Sequence, residues 1–357
     1  MKTAIQNKWN LKTSVLGTLF IAGSMLSMTP TTQAAPVLVN QSYVQNLPEE
    51  SFTALLTSCY NNLGYVASPV ATMDDGDHYS SSGANTSVTK GKLLSDDALV
   101  AYQAGLCYLR TGDIAYANNA QNILDAWSNK LTKVPTPQGK NGINFSMPYM
   151  IMSASWVQGV GGWNDTNFKR FVRTVVLPAS NSQFTNNHGA WGVLLNTSAA
   201  AYLDDNKGLD AARIRWKSLV AGATNQWGYL PQEVDRSGTS NYHAGPDKGI
   251  KGLAYTHFFM MPATIAAKIL ADEQKWVLTT TEGALFQLAY NKAALWTRYP
   301  EQFPYYASNN GKLDGVRNAA YFTILSKTYS NPNATVVLND GNLGANGFKL
   351  LELFPTQ

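Results

Sequence analysis

Two overlapping stretches decide the fold: "DDALVAYQAGLCYLRTGD" (residues 96–113) and "DIAYANNAQNILDAWSNKL" (residues 113–131). In both, apolar residues recur at three- and four-residue spacing, the period of one helix face. In the second, Ile114, Ala117, Leu124 and Trp127 fall on a single stripe. Gly112-Asp113 interrupts the pattern between them, which is the punctuation of a helical hairpin.

The same period recurs on either side. "SFTALLTSCYNNLGYVA" (51–67) precedes the hairpin, and further helices are predicted around 146–158, 165–178, 188–204, 208–225, 254–272, 281–297 and 315–330. Only "TVVLND" (335–340) reads as a strand. "YLRTGDIAYANNA" has the flavour of a tetratricopeptide unit, yet no further copy follows at a period of about 34 residues, so a solenoid is set aside. The expected fold is all-α: an incomplete (α/α) toroid or barrel of antiparallel helical hairpins, with loops at one end building a site.

The first 35 residues are read apart from that fold. Lys2, Lys8 and Lys12 precede the apolar "SVLGTLFIAGSML", and "TQAA" supplies small residues for cleavage. This is the layout of a secretory leader, with 36–357 as a single catalytic domain. The expected location is the periplasm or the medium, with no membrane association once the leader is removed. Without those three lysines, 24 basic residues face 23 acidic ones, a formal +1 in place of +4. A nearly neutral body argues against a nucleic-acid partner; a polyanion would have to be drawn by a local cleft. The chain is expected to act as a monomer. Cys59 and Cys107 stand in an oxidising setting, either as a disulfide or as two buried thiols. No metal-binding spacing is present among the four scattered histidines, and no cofactor is expected.

One segment lacks any apolar period. "ATMDDGDHYSSSGANTSVTKGK" (71–92) is rich in Asp, Gly and Ser. A loop of this length is either a solvated connection or a lid. In the second case Tyr79, beside Asp77, His78 and Lys90, is a candidate sugar contact.

Three stretches carry chemistry: Asn186-Asn187-His188 followed by Trp191, then "GYLPQEVDR" (228–236), then "GLAYTHFFMMP" (252–262). Together, in this order on a helical chain with a leader, they resemble the alginate lyase superfamily, α/α-toroid polysaccharide lyases that degrade uronate polymers. The likeness covers roughly residues 95–272. It implies that Asn187 and Arg236 neutralise a substrate carboxylate and that His188 acts as base. It also implies a catalytic tyrosine. Tyr255 matches through the apolar helix that follows it, and Tyr242 through its distance from Arg236. The segment 237–251 is longer than the family pattern, which leaves both tyrosines in play.

The residue types suit β-elimination on their own terms. The C5 proton of a uronate lies α to a carboxylate and is very weakly acidic while that group stays negative, so fixed donors must stabilise the charge that develops there. An amide and the planar fork of an arginine do this. A base near C5 and an acid at the leaving oxygen complete the set, and an imidazole titrates near neutrality. Further candidate substrate contacts are Trp191, His243, His257 and Lys248. Glu233 is expected to hold Arg236 or a nearby backbone group.

Two other readings compete. A glycoside hydrolase on the same barrel needs two flanking carboxylates, for which Asp74, Asp75, Asp77, Glu233 and Asp235 are available. A non-catalytic carbohydrate-binding helical protein would bind without turnover.

Overall fold

The computed structural model describes residues 36–345, apart from 78, 81–82, 85–88 and 239–242. The expected leader therefore lies outside the described residues, as does Tyr242. The helices in chain order are α1 Gln41–Gln45, α2 Thr53–Asn61, α3 Thr89–Thr111, α4 Ile114–Lys130, α5 Pro137–Val157, α6 Thr166–Phe171 and α7 Asn187–Tyr202. After them come α8 Asn206–Ala223, α9 Pro231–Val234, α10 Gly252–Asp272, α11 Thr281–Arg298, α12 Phe322–Leu325 and α13 Pro332–Asp340. The only strands among the described residues are the two-residue β1 Tyr79–Ser80 and β2 Gly83–Ala84, paired antiparallel.

The hairpin of residues 96–131 forms as its sequence dictates. Gly112 takes φ +73° at the turn, a region that glycine enters at little cost. Asp113 then caps α4 by accepting from Ala115 N–H. Asp97, fully buried on α3, ties the hairpin to the chain before it. Its carboxylate accepts from Trp127 Nε1 at 2.6 Å, Tyr65 hydroxyl at 2.6 Å and Ser68 N–H at 2.8 Å. Three donors offset the cost of burying that charge.

Such hairpins build the expected toroid. α3 packs on α5, α5 on α7 and α7 on α10, giving an inner row. α4 lies across α3 and α5, and α8 and α11 lie across the later members. Inner helices are enclosed almost all round; on α7 only His188 and Asn196 are not buried. A disulfide joins Cys59 on α2 to Cys107 on α3, deciding the open question of the two thiols. Trp156 Nε1 donates to Val37 O at 2.9 Å, fastening the first described residues to α5.

The structure departs from the sequence reading in four places. "TVVLND" is helical, within α13. Asn331 caps it by accepting from Asn333 and Ala334 N–H, and Pro332 occupies the first turn, a start signal that outweighs β-branched propensity. The helix expected over 315–330 shrinks to α12. Gly315 is left-handed, and residues 317 and 320 bond to the backbone of Gly344 instead. α5 begins at Pro137, nine residues before the expected start. Thr136 caps it and Pro137 needs no donor at that position. The helix expected over 165–178 widens to a π turn at Val172–Val176 and tightens again at Leu177–Ala179, where Pro178 removes a donor.

Candidate active site

The N-terminal ends of the inner helices gather on one rim. A Cβ placed on Gly142 near the start of α5 would come within 3.5 Å of Gly91 on the first turn of α3. His188 on the first turn of α7 reaches Asn141 on α5. Helix N-termini carry partial positive charge and free N–H groups, so a rim built from several of them favours an anion. At α3 that capacity is already used: Asp75 accepts from Lys90 and Gly91 N–H.

Asn187 and His188 are set by the start of α7. Asn186 is the N-cap, accepting from His188 N–H at 3.1 Å. Gly189 follows because a Cβ there would lie 1.9 Å from Phe184 O. The buried Glu233 carboxylate sits beneath the same end. Its Oε1 accepts from Asn187 N–H at 2.6 Å and its Oε2 from Asn187 Nδ2 at 2.9 Å. The carboxamide is thereby clamped from both its backbone and its side chain. Burial raises Glu233 to about 7, against the opposing pull of the two Asn187 hydrogen bonds and the Arg236 charge. Glu233 thus holds a nearby backbone group, the Asn187 N–H, together with the Asn187 side chain.

Arg236 comes from the turn that closes α9. Lys251 N–H donates to Arg236 O at 3.1 Å and Tyr255 N–H to Lys251 O at 2.9 Å, so the arginine is pinned one turn from Tyr255. Gly252 permits this approach, since a Cβ there would meet Val234 O at 2.1 Å. The Arg236 guanidinium stacks over the Tyr255 ring, with Cζ 4.3 Å from its centroid. On the other side its charge bears on His188, which burial first and Arg236 second lower from 6.5 to about 4. The imidazole is therefore neutral at physiological pH and available as a base. The long segment 237–251 is tied at its base: Gly238 N–H donates to Asp247 Oδ2 at 2.7 Å, and Gly249 N–H to Asp235 O. Its extra length does not separate Arg236 from Tyr255.

The other expected contacts divide. Trp191 is a correction: it is buried against Phe145 and Phe258, at ring separations of 5.5 and 5.1 Å, and floors the site without a free face. His257 is a second correction. It is fully buried, with Nδ1 bonded to the Tyr321 hydroxyl at 3.0 Å and Nε2 near Val316 O and the Thr297 hydroxyl. It is a satisfied core histidine that burial lowers to about 4. Lys248 pairs with Asp235 at 3.1 Å and lies over the Tyr305 ring. His243 is exposed on the loop before α10. Tyr79 falls on β1, and its side chain lies outside the described residues. Two residues that sequence reasoning missed, Asn141 and Phe145, stand beside His188; Phe145 places its ring 5.7 Å from the imidazole.

Four of the five carboxylates considered for a hydrolase are already engaged. Asp74 pairs with Lys90, Asp75 caps α3, Asp235 accepts from the Tyr305 hydroxyl, and Glu233 clamps Asn187. Among the described residues no cluster of three or more His, Cys, Asp or Glu is arranged to hold a metal.

A rim that brings together an amide, a neutral imidazole, a guanidinium and a phenol fits a helical-toroid polysaccharide lyase. The alginate lyase family model matches residues 60–303, and the chain belongs to that family. No curated protein matches. Among solved structures, an alginate lyase from Bacteroides ovatus is similar at a TM-score of 0.67 and 14% identity, over 89% of this chain and 97% of that one. Alginate lyase A1-III from Sphingomonas species A1 matches at 0.63 and 16% identity, over 82% and 87%. A tyrosine-to-phenylalanine variant of alginate lyase A1-III, complexed with a tetrasaccharide, matches at 0.64 and 14%, over 90% and 98%.

Proposed function

We propose that this lyase is exported, to the periplasm or the medium, and cleaves a uronate polymer of the alginate type by β-elimination. The observation that carries the reading is the convergence of four heads from two helix starts and a turn: Arg236 stacks on Tyr255, adds its charge to the burial that lowers His188, and flanks the Glu233 that clamps Asn187. Asn187 Nδ2 and Arg236 receive the substrate carboxylate. His188 takes the C5 proton. The C5–H electron pair becomes the C4=C5 double bond as the C4–O bond breaks, and Tyr255 gives its proton to the departing oxygen. Where C5 stereochemistry puts proton and leaving group on one face, Tyr255 serves both steps. An alginate lyase complexed with a tetrasaccharide supports a sugar chain as the ligand.

The test is ultraviolet absorbance from the unsaturated product, with purified protein on alginate, polymannuronate, polyguluronate and glucuronan. No signal on any of the four overturns the reading. His188→Ala, Arg236→Ala and Tyr255→Phe should each lose about 100-fold or more in kcat. Full turnover by Tyr255→Phe would move the acid to Tyr242. Export is checked by the N-terminus of protein recovered outside the cytoplasm, expected near Ala35.

A further inference from the structure

We propose that Asn141 is a positioning residue that fixes the His188 tautomer, holding the imidazole proton on Nδ1 so that the Nε2 lone pair is the base. The inference deepens the function proposed above and rests on His188 taking the substrate proton. His188 Nδ1 lies 2.9 Å from Asn141 Oδ1. That oxygen also accepts from Asn181 Nδ2 at 2.8 Å, while Asn141 Nδ2 donates to Gln138 Oε1 at 3.2 Å. Both ends of the amide are thus engaged, and the oxygen is the end turned to the histidine. An oxygen can only accept, so Nδ1 must carry the hydrogen.

The support behind Asn141 is rigid. Asn181 is buried, and its N–H donates to Asn144 Oδ1 at 3.0 Å. Asn144, one turn after Asn141 on α5 and fully buried, is locked in turn by donating from Nδ2 to Lys140 O and Ala179 O. Backbone carbonyls only accept, so this amide has one possible orientation. Asn144 thus anchors the Asn181 backbone, and the Asn181 side chain in turn donates to the Asn141 oxygen that meets the imidazole. The choice of an amide suits a polyanion. An aspartate would orient the ring equally well, but its charge would oppose the substrate carboxylate and hold a proton on the imidazole. The charged and titratable groups facing the ring, Arg236 and through Asn187 the buried Glu233, lie on α9 and the turn after it.

The direct test reads the tautomer in the wild-type protein. Long-range proton–nitrogen correlation spectra of protein carrying nitrogen-15 histidine, with His188 assigned by loss of its signal in His188→Gln, should show the Nδ1–H form at neutral pH. In Asn141→Leu the Nε2–H form should appear, and kcat should fall at least about 10-fold, the factor that corresponds to one buried hydrogen bond, with KM little changed. Asn141→Asp should keep the Nδ1 proton and move the acid limb of kcat/KM to higher pH. A wild-type His188 protonated on Nε2, or an Asn141→Leu enzyme with undiminished kcat, overturns the proposal. His188→Gln with full turnover would instead remove the histidine from the reaction and with it the function assigned to it. That outcome is told apart because the tautomer is read from the spectrum alone.

Discussion

Replacing Glu233 by glutamine should separate the stability of this fold from its activity. Glu233 is 1% exposed, and burial raises its carboxyl from 4.5 to about 7. Below pH 4.5 the folded and unfolded chains both hold the proton, so the group contributes no slope. Between pH 4.5 and about 7 the unfolded chain releases it and the folded chain keeps it, so stability falls as pH rises. At roughly 1.4 kcal/mol for each pH unit, the loss by pH 8 is about 3 kcal/mol. Glutamine does not titrate and shows no such loss. Urea unfolding of both proteins across this range should therefore give curves that converge or cross, the variant gaining about 3 kcal/mol relative to wild type. His188 and His257 titrate in both proteins and drop out of the difference. Catalysis should move the other way. Above about pH 7, where Glu233 is ionised, glutamine offers one oxygen to two Asn187 donors, and losing one charged hydrogen bond, about 1.5–3 kcal/mol, corresponds to a fall of about 10- to 100-fold in kcat if all of it served to place the amide. Parallel unfolding curves would refute the buried titration, and a fully active variant would refute the clamp.

Other outcomes follow from the same structure. Because His188 must be neutral to accept a proton and is lowered to about 4, kcat/KM measured against pH should hold its value through pH 6.5 and fall only near 4. The same shift makes the fold lose stability as pH drops from 6.5 to about 4, since only the unfolded chain gains the proton there. Replacing Cys59 and Cys107 by serine opens a loop of 48 residues and should lower the unfolding free energy by about 4 kcal/mol, read as a fall in Tm with kcat unchanged. Trp191→Phe should cost about 1–3 kcal/mol of stability by calorimetry while leaving KM unchanged, since its ring is floor and not contact.

What could be read from the chain, and what could not, follows from the range of the forces involved. Hairpins were legible because a 3.6-residue period and a Gly-Asp turn are local. Asn187, His188 and Arg236 stand out in the sequence because each lies in a short run whose composition is unusual for a packed helix. Trp191 and His257 misled for the same reason: they share those runs, and nothing local says whether an aromatic ring points at a ligand or at Phe258. "TVVLND" has the β-branched composition of a strand, but the Asn331-Pro332 start just ahead of it makes it helical. Asn141 was beyond reach for a stronger reason. It lies 47 positions from His188, ahead of the helix predicted over 146–158, in a stretch interrupted by Pro137, Gly139 and Gly142. Those residues are in fact what an inner helix needs to start tightly: proline spends no donor in the first turn, and a Cβ at Gly139 would sit 2.1 Å from Met73 O. This proline and these glycines are therefore what brings the polar start of α5 against α7, where an uncharged oxygen can orient an imidazole without repelling an anionic chain.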